Sequence, residues 1–236
     1  MEDGLSGQGA VLGKNGKAIM TVRFQPNGDT LATSGEQGVR LWDTLRKGPL
    51  GVPLIERDFA FNTLAFSPDG RGLIAAFADG AIYGWRLPDR VPLFKPLSGV
   101  HSSHLLKITF NATGDRFATL DTEGQSRIVS YPGGKVLGAA LQGDVRTRSV
   151  AFLAKSNTLV GGGADGALRL WDIESKRQIE TSARGHTQPI IDIRLTRNGA
   201  LMATLGDDQH IRLWDVPGRH PLTVDFINPA KPGDTY

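Results

Sequence analysis

The chain has 236 residues and a formal net charge of +3, with 39% hydrophobic and 22% charged residues, values that are ordinary for a globular protein. It contains no cysteine, which excludes disulfides, thiolate metal sites and a cysteine nucleophile. Its 30 glycines are about twice the usual share and indicate many tight turns. The first residues include two acids and no apolar run of signal-peptide length, so we expect a cytoplasmic protein without a membrane span.

Five similar segments along the chain contain an aromatic residue at or next to their last position, and they contain all four tryptophans of the protein. In chain order they are VRLWD with Trp42, AIYGW with Trp85, RIVSY with Tyr131, LRLWD with Trp171 and IRLWD with Trp214. The aromatic positions recur roughly every 43 residues, and the third segment carries tyrosine where the others have tryptophan. This spacing indicates an internal repeat.

A second set of segments, MTVRF, NTLAF, LKITF, RSVAF and IDIRL, precedes the first set and has the same period. The segments end at Phe24, Phe66, Phe110, Phe152 and Leu195. Because two independent sets share one period, we divide the chain into five repeats within a single domain, 1–236. The repeats cover residues 18–58, 59–99, 100–143, 144–184 and 185–226, with 1–17 and 227–236 as terminal extensions.

Each repeat has the pattern of a small antiparallel sheet. Alternating apolar residues precede the phenylalanine position, a glycine turn follows, and a strand of small residues leads through a second turn to the aromatic strand. A weaker fourth strand comes before the next repeat. A sheet of this size cannot bury both faces alone, so neighbouring sheets must stack. We therefore predict an all-β protein, a β-propeller of five four-stranded blades.

The Gly185-His186 pair, the Trp-Asp pairs and the period together resemble the WD-repeat family over residues 18–226. The resemblance implies a buried hydrogen-bond relay of His, Ser or Thr, Asp and Trp within a blade. In the fifth repeat all four members are present: His186, Thr204, Asp208 and Trp214. The resemblance implies a structural role for these residues rather than catalysis.

The relay is incomplete in the other repeats. In the third repeat, the resemblance places His101, Thr119, Glu123 and Tyr131 at the four positions, with two extra residues in the turn. In the fourth repeat Asp165 and Trp171 match, but Gly161 occupies the hydroxyl position and no histidine is present. We expect these blades to be stabilised by packing alone.

The resemblance also implies that protein partners dock on the face formed by the loops before each first strand and by the residue preceding the turn acid. The candidate residues are Met20, Asn62, His104, Leu106, Arg146, Arg148, Ile191 and Asp207. Arg146 and Arg148 beside exposed aliphatic residues would suit an acidic and hydrophobic peptide. The alternative is that both arginines are solvated rim residues.

The favoured function is a non-catalytic scaffold or sensor module that binds other proteins. One alternative is nucleic-acid binding through a basic face, which the small net charge disfavours. Another is a propeller glycoside hydrolase, which needs paired carboxylates, whereas Asp192 is the one acid in the first strands. We expect no cofactor and no metal, because His101 and His104 have no third ligand nearby in the sequence.

Five repeats are fewer than the seven that WD-repeat propellers usually have. Three arrangements remain: a five-bladed ring, an arc completed by another chain or a second copy, or a fragment of a longer polypeptide. An arc exposes the apolar faces of its first and last sheets, and exposed apolar faces of this kind mark interaction sites. We expect an open arc that is completed in trans.

Overall fold

The computed structural model describes residues 12, 18–26, 28–36, 38–56, 61–154, 156–181, 185–196, 198–216 and 220–227. Within these residues, nineteen strands form five antiparallel sheets. Each strand pairs with the next one along the chain, so every sheet is a meander. In the same residues there is no helix that could cross a membrane. The prediction of an all-β fold is confirmed.

The sheets follow the order of the repeats. The first sheet comprises β1 (Ile19–Phe24), β2 (Thr30–Gly35), β3 (Gly38–Asp43) and β4 (Gly48–Pro49). The second comprises β5 (Phe61–Phe66), β6 (Gly72–Phe77), β7 (Ile82–Arg86) and β8 (Val91–Pro92). The third comprises β9 (Leu105–Phe110), β10 (Arg116–Asp121) and β11 (Ser126–Ser130). The fourth comprises β12 (Thr147–Phe152), β13 (Thr158–Gly163), β14 (Leu168–Asp172) and β15 (Arg177–Thr181). The fifth comprises β16 (Ile190–Leu195), β17 (Leu201–Gly206), β18 (His210–Asp215) and β19 (His220–Ile227).

The third sheet differs from the four-stranded prediction. Its outer segment touches β11 through two isolated bridges, Val129 with Val136 and Ser126 with Leu141, and forms no continuous strand. Between the bridges Gly138 has a φ of 73°, a left-handed conformation that turns the chain away from a regular ladder. The glycine therefore interrupts the fourth strand of this blade.

The hydrophobic core lies between successive sheets. Between the first and second sheets it contains Ala32, Leu41, Leu64, Leu73 and Trp85. Between the second and third it contains Ile74, Ile82, Ile108, Phe117 and Val129. Between the third and fourth it contains Ala118, Leu120, Val150, Leu159 and Trp171. Between the fourth and fifth it contains Val160, Leu168, Ile193, Met202 and Trp214. Among the described residues, five sheets thus share four such cores, whereas a closed ring would need five.

The first sheet lacks a neighbour on one side. Phe24 in β1 is 70% exposed, although Phe66 and Phe152, at the same position of β5 and β12, are 9% and 6% exposed. Val22 is also exposed, whereas its counterpart Leu64 is buried. In the second and fourth sheets these positions pack against the preceding sheet. The side of the first sheet that would meet a preceding blade is therefore open along β1.

The fifth sheet lacks a neighbour on the opposite side. Ile211 in β18 is 40% exposed, although Ile82 and Leu168, at the same position of β7 and β14, are 0% and 2% exposed. Leu205 in β17 is exposed as well, and its counterpart Leu120 in β10 is buried. The five sheets therefore form an open propeller, with an apolar surface at each end.

Candidate functional site

The fifth blade contains a hydrogen-bond chain of four side chains. Trp214 Nε1 lies 2.9 Å from Thr204 Oγ1, which lies 2.7 Å from His186 Nε2. His186 Nδ1 lies 2.9 Å from Asp208 Oδ1. Because an indole N–H can only donate, the hydroxyl accepts from Trp214, donates to the imidazole, and leaves Nδ1–H to donate to the carboxylate. The chain connects β18, β17 and the loop before β16.

Asp208 ends this chain as a carboxylate with three donors. Burial acts to raise the pKa of Asp208, but hydrogen bonds from His186 and from the backbone N–H groups of Thr187 and His210 lower it to about 2. An acid this strong is a poor general base near neutral pH. His186 and Thr204 are each 1% exposed, so neither can reach a substrate. This geometry joins two strands and the preceding loop inside the blade.

The third blade has a relay of a different composition. His101 Nδ1 lies 2.8 Å from Asp121 Oδ2, and His101 Nε2 lies 2.7 Å from Thr119 Oγ1. The prediction that Glu123 supplies the acid is wrong. Asp121 is the last residue of β10, at the position that Gly206 holds in β17. In the fifth blade, a Cβ atom added to Gly206 would lie 2.4 Å from the imidazole of His186, so a side chain at this position points toward the histidine. A carboxylate on the strand itself therefore reaches the histidine without help from the turn.

Tyr131 does not take the place of tryptophan. In the fifth sheet Met202 pairs with Trp214, and the equivalent pair in the third sheet is Phe117 with Val129. Tyr131 lies two residues further on and packs edge-on against Phe110, with ring centroids 5.1 Å apart. With Val129 in register, the turn is as long as in the fifth blade, and the expected two-residue insertion is absent.

An arginine replaces the missing histidine in the fourth blade. The Arg169 side chain, 4% exposed, donates from Nη1 and Nη2 to the two carboxylate oxygens of Asp165, both at 2.9 Å. Its Nε donates to Asp144 at 3.1 Å. The hydrogen bonds from Arg169 lower the pKa of Asp165 to about 2. The expectation that packing alone stabilises this blade, and likewise the third, is wrong.

The first strands of the sheets surround a central channel of about 630 Å³. The charged residues that line it are Arg23, Lys107, Arg148, Asp192 and Arg194. Lys107 Nζ donates to Asp192 Oδ1 at 2.6 Å, to Ser149 Oγ at 2.8 Å and to the carbonyl of Ile193 at 3.2 Å. Arg194 Nε donates to the other oxygen of Asp192 at 2.7 Å. The single carboxylate of this lining is thus held between two cations.

The repeats and their relay match one family model. A model described as "WD domain, G-beta repeat" matches residues 8–43, 136–172 and 177–215, the last of which includes all four relay residues of the fifth blade. The chain belongs to the WD-repeat family. In the described part of this WD-repeat chain, no group of three or more His, Asp or Glu side chains could hold a metal ion.

Relatives of this WD-repeat chain cover most of its length. The Bos taurus protein "WD repeat-containing protein 55" is 26% identical over 207 residues, which are 86% of this chain and 53% of that protein. The Arabidopsis thaliana protein "WD repeat-containing protein RUP2" is 27% identical over 229 residues, which are 90% of this chain and 61% of that protein. This WD-repeat chain spans about half the length of the first of the curated relatives it matches.

The partner-binding candidates of the WD repeats lie on the surface, apart from Asn62, whose side chain is outside the described part of the structure. The exposed candidates are Met20, His104, Leu106, Arg146, Arg148, Ile191 and Asp207. Leu106, Arg148 and Ile191 line the channel. Arg146 is not part of that lining, and its Cγ lies near Gly124 in the turn of the third blade. The two arginines of the predicted pair therefore face different surroundings.

The contact between Lys107 and Asp192 could not be found from sequence proximity, because the residues are 85 positions apart. Register does give a signal. Lys107 is the third residue of LLKITF and Asp192 the third residue of IIDIRL, and both segments are first strands of WD repeats. Because first strands surround the axis of a propeller, opposite charges at one register position can meet across it.

Proposed function

We propose that this chain is a non-catalytic scaffold that binds protein partners through the open ends of its arc. The observation that carries the proposal is the exposure of apolar positions at both ends, Phe24 and Ile211, whose counterparts in other blades are buried. Exposed apolar surface of this kind marks protein interaction sites. The engaged carboxylates and buried histidines support a role without chemistry.

The two open ends present the two opposite faces that meet between neighbouring blades. In the second and fourth sheets, the equivalents of Val22 and Phe24 pack against the preceding blade. In the third and fourth sheets, the equivalents of Leu205 and Ile211 belong to the surface that receives the next blade. The surface that fits each end is therefore another sheet of the same type. We propose that another chain or a second copy supplies such sheets.

Light scattering tests this proposal on the purified chain. The expected result is concentration-dependent association, or association with an added WD-repeat chain, and loss of hydrophobic dye binding when the complex forms. Leu205→Asp is expected to weaken association at least about tenfold, because the charge would be buried without a partner. Leu45→Asp is the matched control, since Leu45 is 72% exposed in the turn between β3 and β4.

A stable monomer at every concentration, without dye binding and without association, would contradict the proposal. Equal effects of Leu205→Asp and Leu45→Asp would also contradict it. In that case the association would not use the open face of the fifth blade.

A further inference from the structure

The central channel concentrates the positive charge of the molecule. Four cations and one carboxylate line it, so its net charge is +3. The whole chain also has a net charge of +3, which means that the charges outside the channel balance. A cleft lined by one sign of charge focuses the field and attracts ligands of the opposite sign. The channel is therefore the part of the molecule best suited to an anion.

Three of the cations have N–H groups that can donate hydrogen bonds to a ligand. The Arg148 side chain is exposed and makes neither a hydrogen bond nor an ion pair within the described residues. Arg23 Nη1 donates to the neighbouring carbonyl of Val22 at 2.8 Å. Arg194 engages Asp192 through Nε, which leaves its two terminal nitrogens for a ligand. Lys107, by contrast, already has three acceptors and serves to hold Asp192 in place.

The cations of the channel also destabilise one another. Burial lowers the pKa of Arg23, and repulsion by Arg194 lowers it further, while Asp192 acts in the opposite direction. Burial likewise lowers the pKa of Lys107 against the opposing effect of Asp192, and repulsion from Arg194 and Arg23 lowers it further. A bound anion would offset this repulsion, since one carboxylate is shared among several cations.

Apolar side chains accompany the charge. Leu106 and Ile191 line the same channel as Arg148, and both are exposed. Phe24 adds an exposed aromatic ring to the lining. A free inorganic anion would leave these apolar groups in water, whereas a peptide with acidic and aliphatic residues would cover them. The lining thus favours a peptide over a small anion.

The geometry points to the channel as a binding site for an acidic and aliphatic segment of a protein partner. The carboxylates of the segment accept hydrogen bonds from Arg148, Arg194 and Arg23, and guanidinium forks suit this pairing. Its aliphatic side chains cover Leu106 and Ile191. The inference rests on the proposed function in that the ligand belongs to a protein. Of the residues that mark the open ends, only Phe24 also lines the channel, and the open face of the fifth blade at Leu205 and Ile211 is not part of it.

Fluorescence anisotropy with a labelled peptide of alternating Glu and Leu tests the inference on the full chain. The Glu peptide is expected to bind, and a peptide with Lys in place of Glu is not. Arg148→Gln and Arg194→Gln are each expected to weaken binding at least about tenfold. Arg146→Gln is the matched control and is expected to leave the affinity unchanged, because Arg146 does not line the channel. Thermal unfolding of each variant separates lost binding from lost folding.

Three results would overturn the inference. The Lys peptide could bind as well as the Glu peptide, or Arg146→Gln could weaken binding as much as Arg148→Gln. Inorganic pyrophosphate could bind while the Glu peptide does not, which would assign the channel to a small anion. If the peptide fails to bind while Leu205→Asp still abolishes association in light scattering, the channel inference fails and the proposed function stands.

Discussion

Thr204 serves two buried polar groups at once, the indole of Trp214 and the imidazole of His186. Thr204→Val keeps the shape of the side chain but leaves both groups unpaired. We expect a loss of about 2–4 kcal/mol in unfolding free energy, since each unpaired buried group costs about 1–3 kcal/mol. Urea denaturation followed by tryptophan fluorescence measures it.

The first blade provides the comparison for this substitution. Trp42 Nε1 donates to Thr33 Oγ1 at 2.8 Å, and no histidine of the described residues contacts this threonine. Thr33→Val therefore leaves only the indole N–H of Trp42 without an acceptor. Its loss of unfolding free energy is expected to be about half that of Thr204→Val. Equal losses for the two variants would mean that the histidine adds nothing to the relay.

His101 makes the third blade sensitive to acid. Burial lowers the pKa of His101 below its ordinary value of 6.5, and this outweighs the opposing effect of Asp121. The unfolded chain therefore takes up a proton before the folded one does. The stabilisation is fully present above pH 6.5 and is lost as the pH falls below it, by at most about 1.4 kcal/mol per pH unit.

Urea denaturation of the wild type and two variants between pH 7.5 and 5 measures this dependence. His101→Gln is expected to remove one histidine's share of the pH slope, although it also lowers stability at pH 7.5. His104→Gln is expected to retain the full slope, because His104 is exposed and outside the relay. A slope that is the same in all three proteins would contradict the assignment.

Single residues of the relay were only partly predictable. The fifth blade follows the family pattern, so the resemblance to the family identified its four members. The third blade does not, because Asp121 reaches His101 from the strand and Val129 stands opposite Phe117. Asp121 lies two residues before the aligned position of the family acid, and Tyr131 lies two residues after the aligned position of the tryptophan. Only the pairing of β10 with β11 distinguishes them.

At the scale of elements, the small residues of β13 accommodate a tryptophan. A Cβ atom on Gly161 would lie 2.5 Å from Cζ3 of Trp171, so the indole packs directly on the backbone. Gly161→Ala is expected to lower the unfolding free energy by about 1–3 kcal/mol, because the ring or the strand must shift. Thermal unfolding measures the effect.

Gly48 in β4 is the matched control for this substitution. It is also a strand glycine, but the nearest atom to its Cβ position is the carbonyl oxygen of Arg46 at 3.9 Å. Gly48→Ala is expected to change the stability by less than about 0.5 kcal/mol. Should the two variants behave alike, the packing of Trp171 on Gly161 would not matter to stability.

The strands of each blade were largely predictable, since the two sets of repeated segments mark the first and third strands and the glycine turns mark the hairpins. The outer strands were less so. They vary from eight residues in β19 to two in β4 and β8, and in the third blade isolated bridges replace the strand. Their pairing depends on turns such as that at Gly138, which composition alone does not resolve.

At the scale of the whole molecule, the repeats predicted an arc whose first strands line a channel, but not the cations that meet in it. The four cations of the channel come from four different strands, one each from β1, β9, β12 and β16. Their convergence follows from the radial arrangement of the first strands. The sequence pattern predicts which residues share one face of a strand. Which residues face each other across the axis can be seen only once the sheets are assembled.

The open arc itself is tested most directly by hydroxyl-radical footprinting with mass spectrometry. The measurement uses the chain at a dilution where light scattering gives the mass of a monomer. It compares three phenylalanines at one position of the repeat: Phe24, Phe66 and Phe152. An arc without a blade before its first sheet predicts strong labelling of Phe24 and weak labelling of Phe66 and Phe152. Equal protection of all three would contradict it, because the first and fifth sheets would then close into a ring.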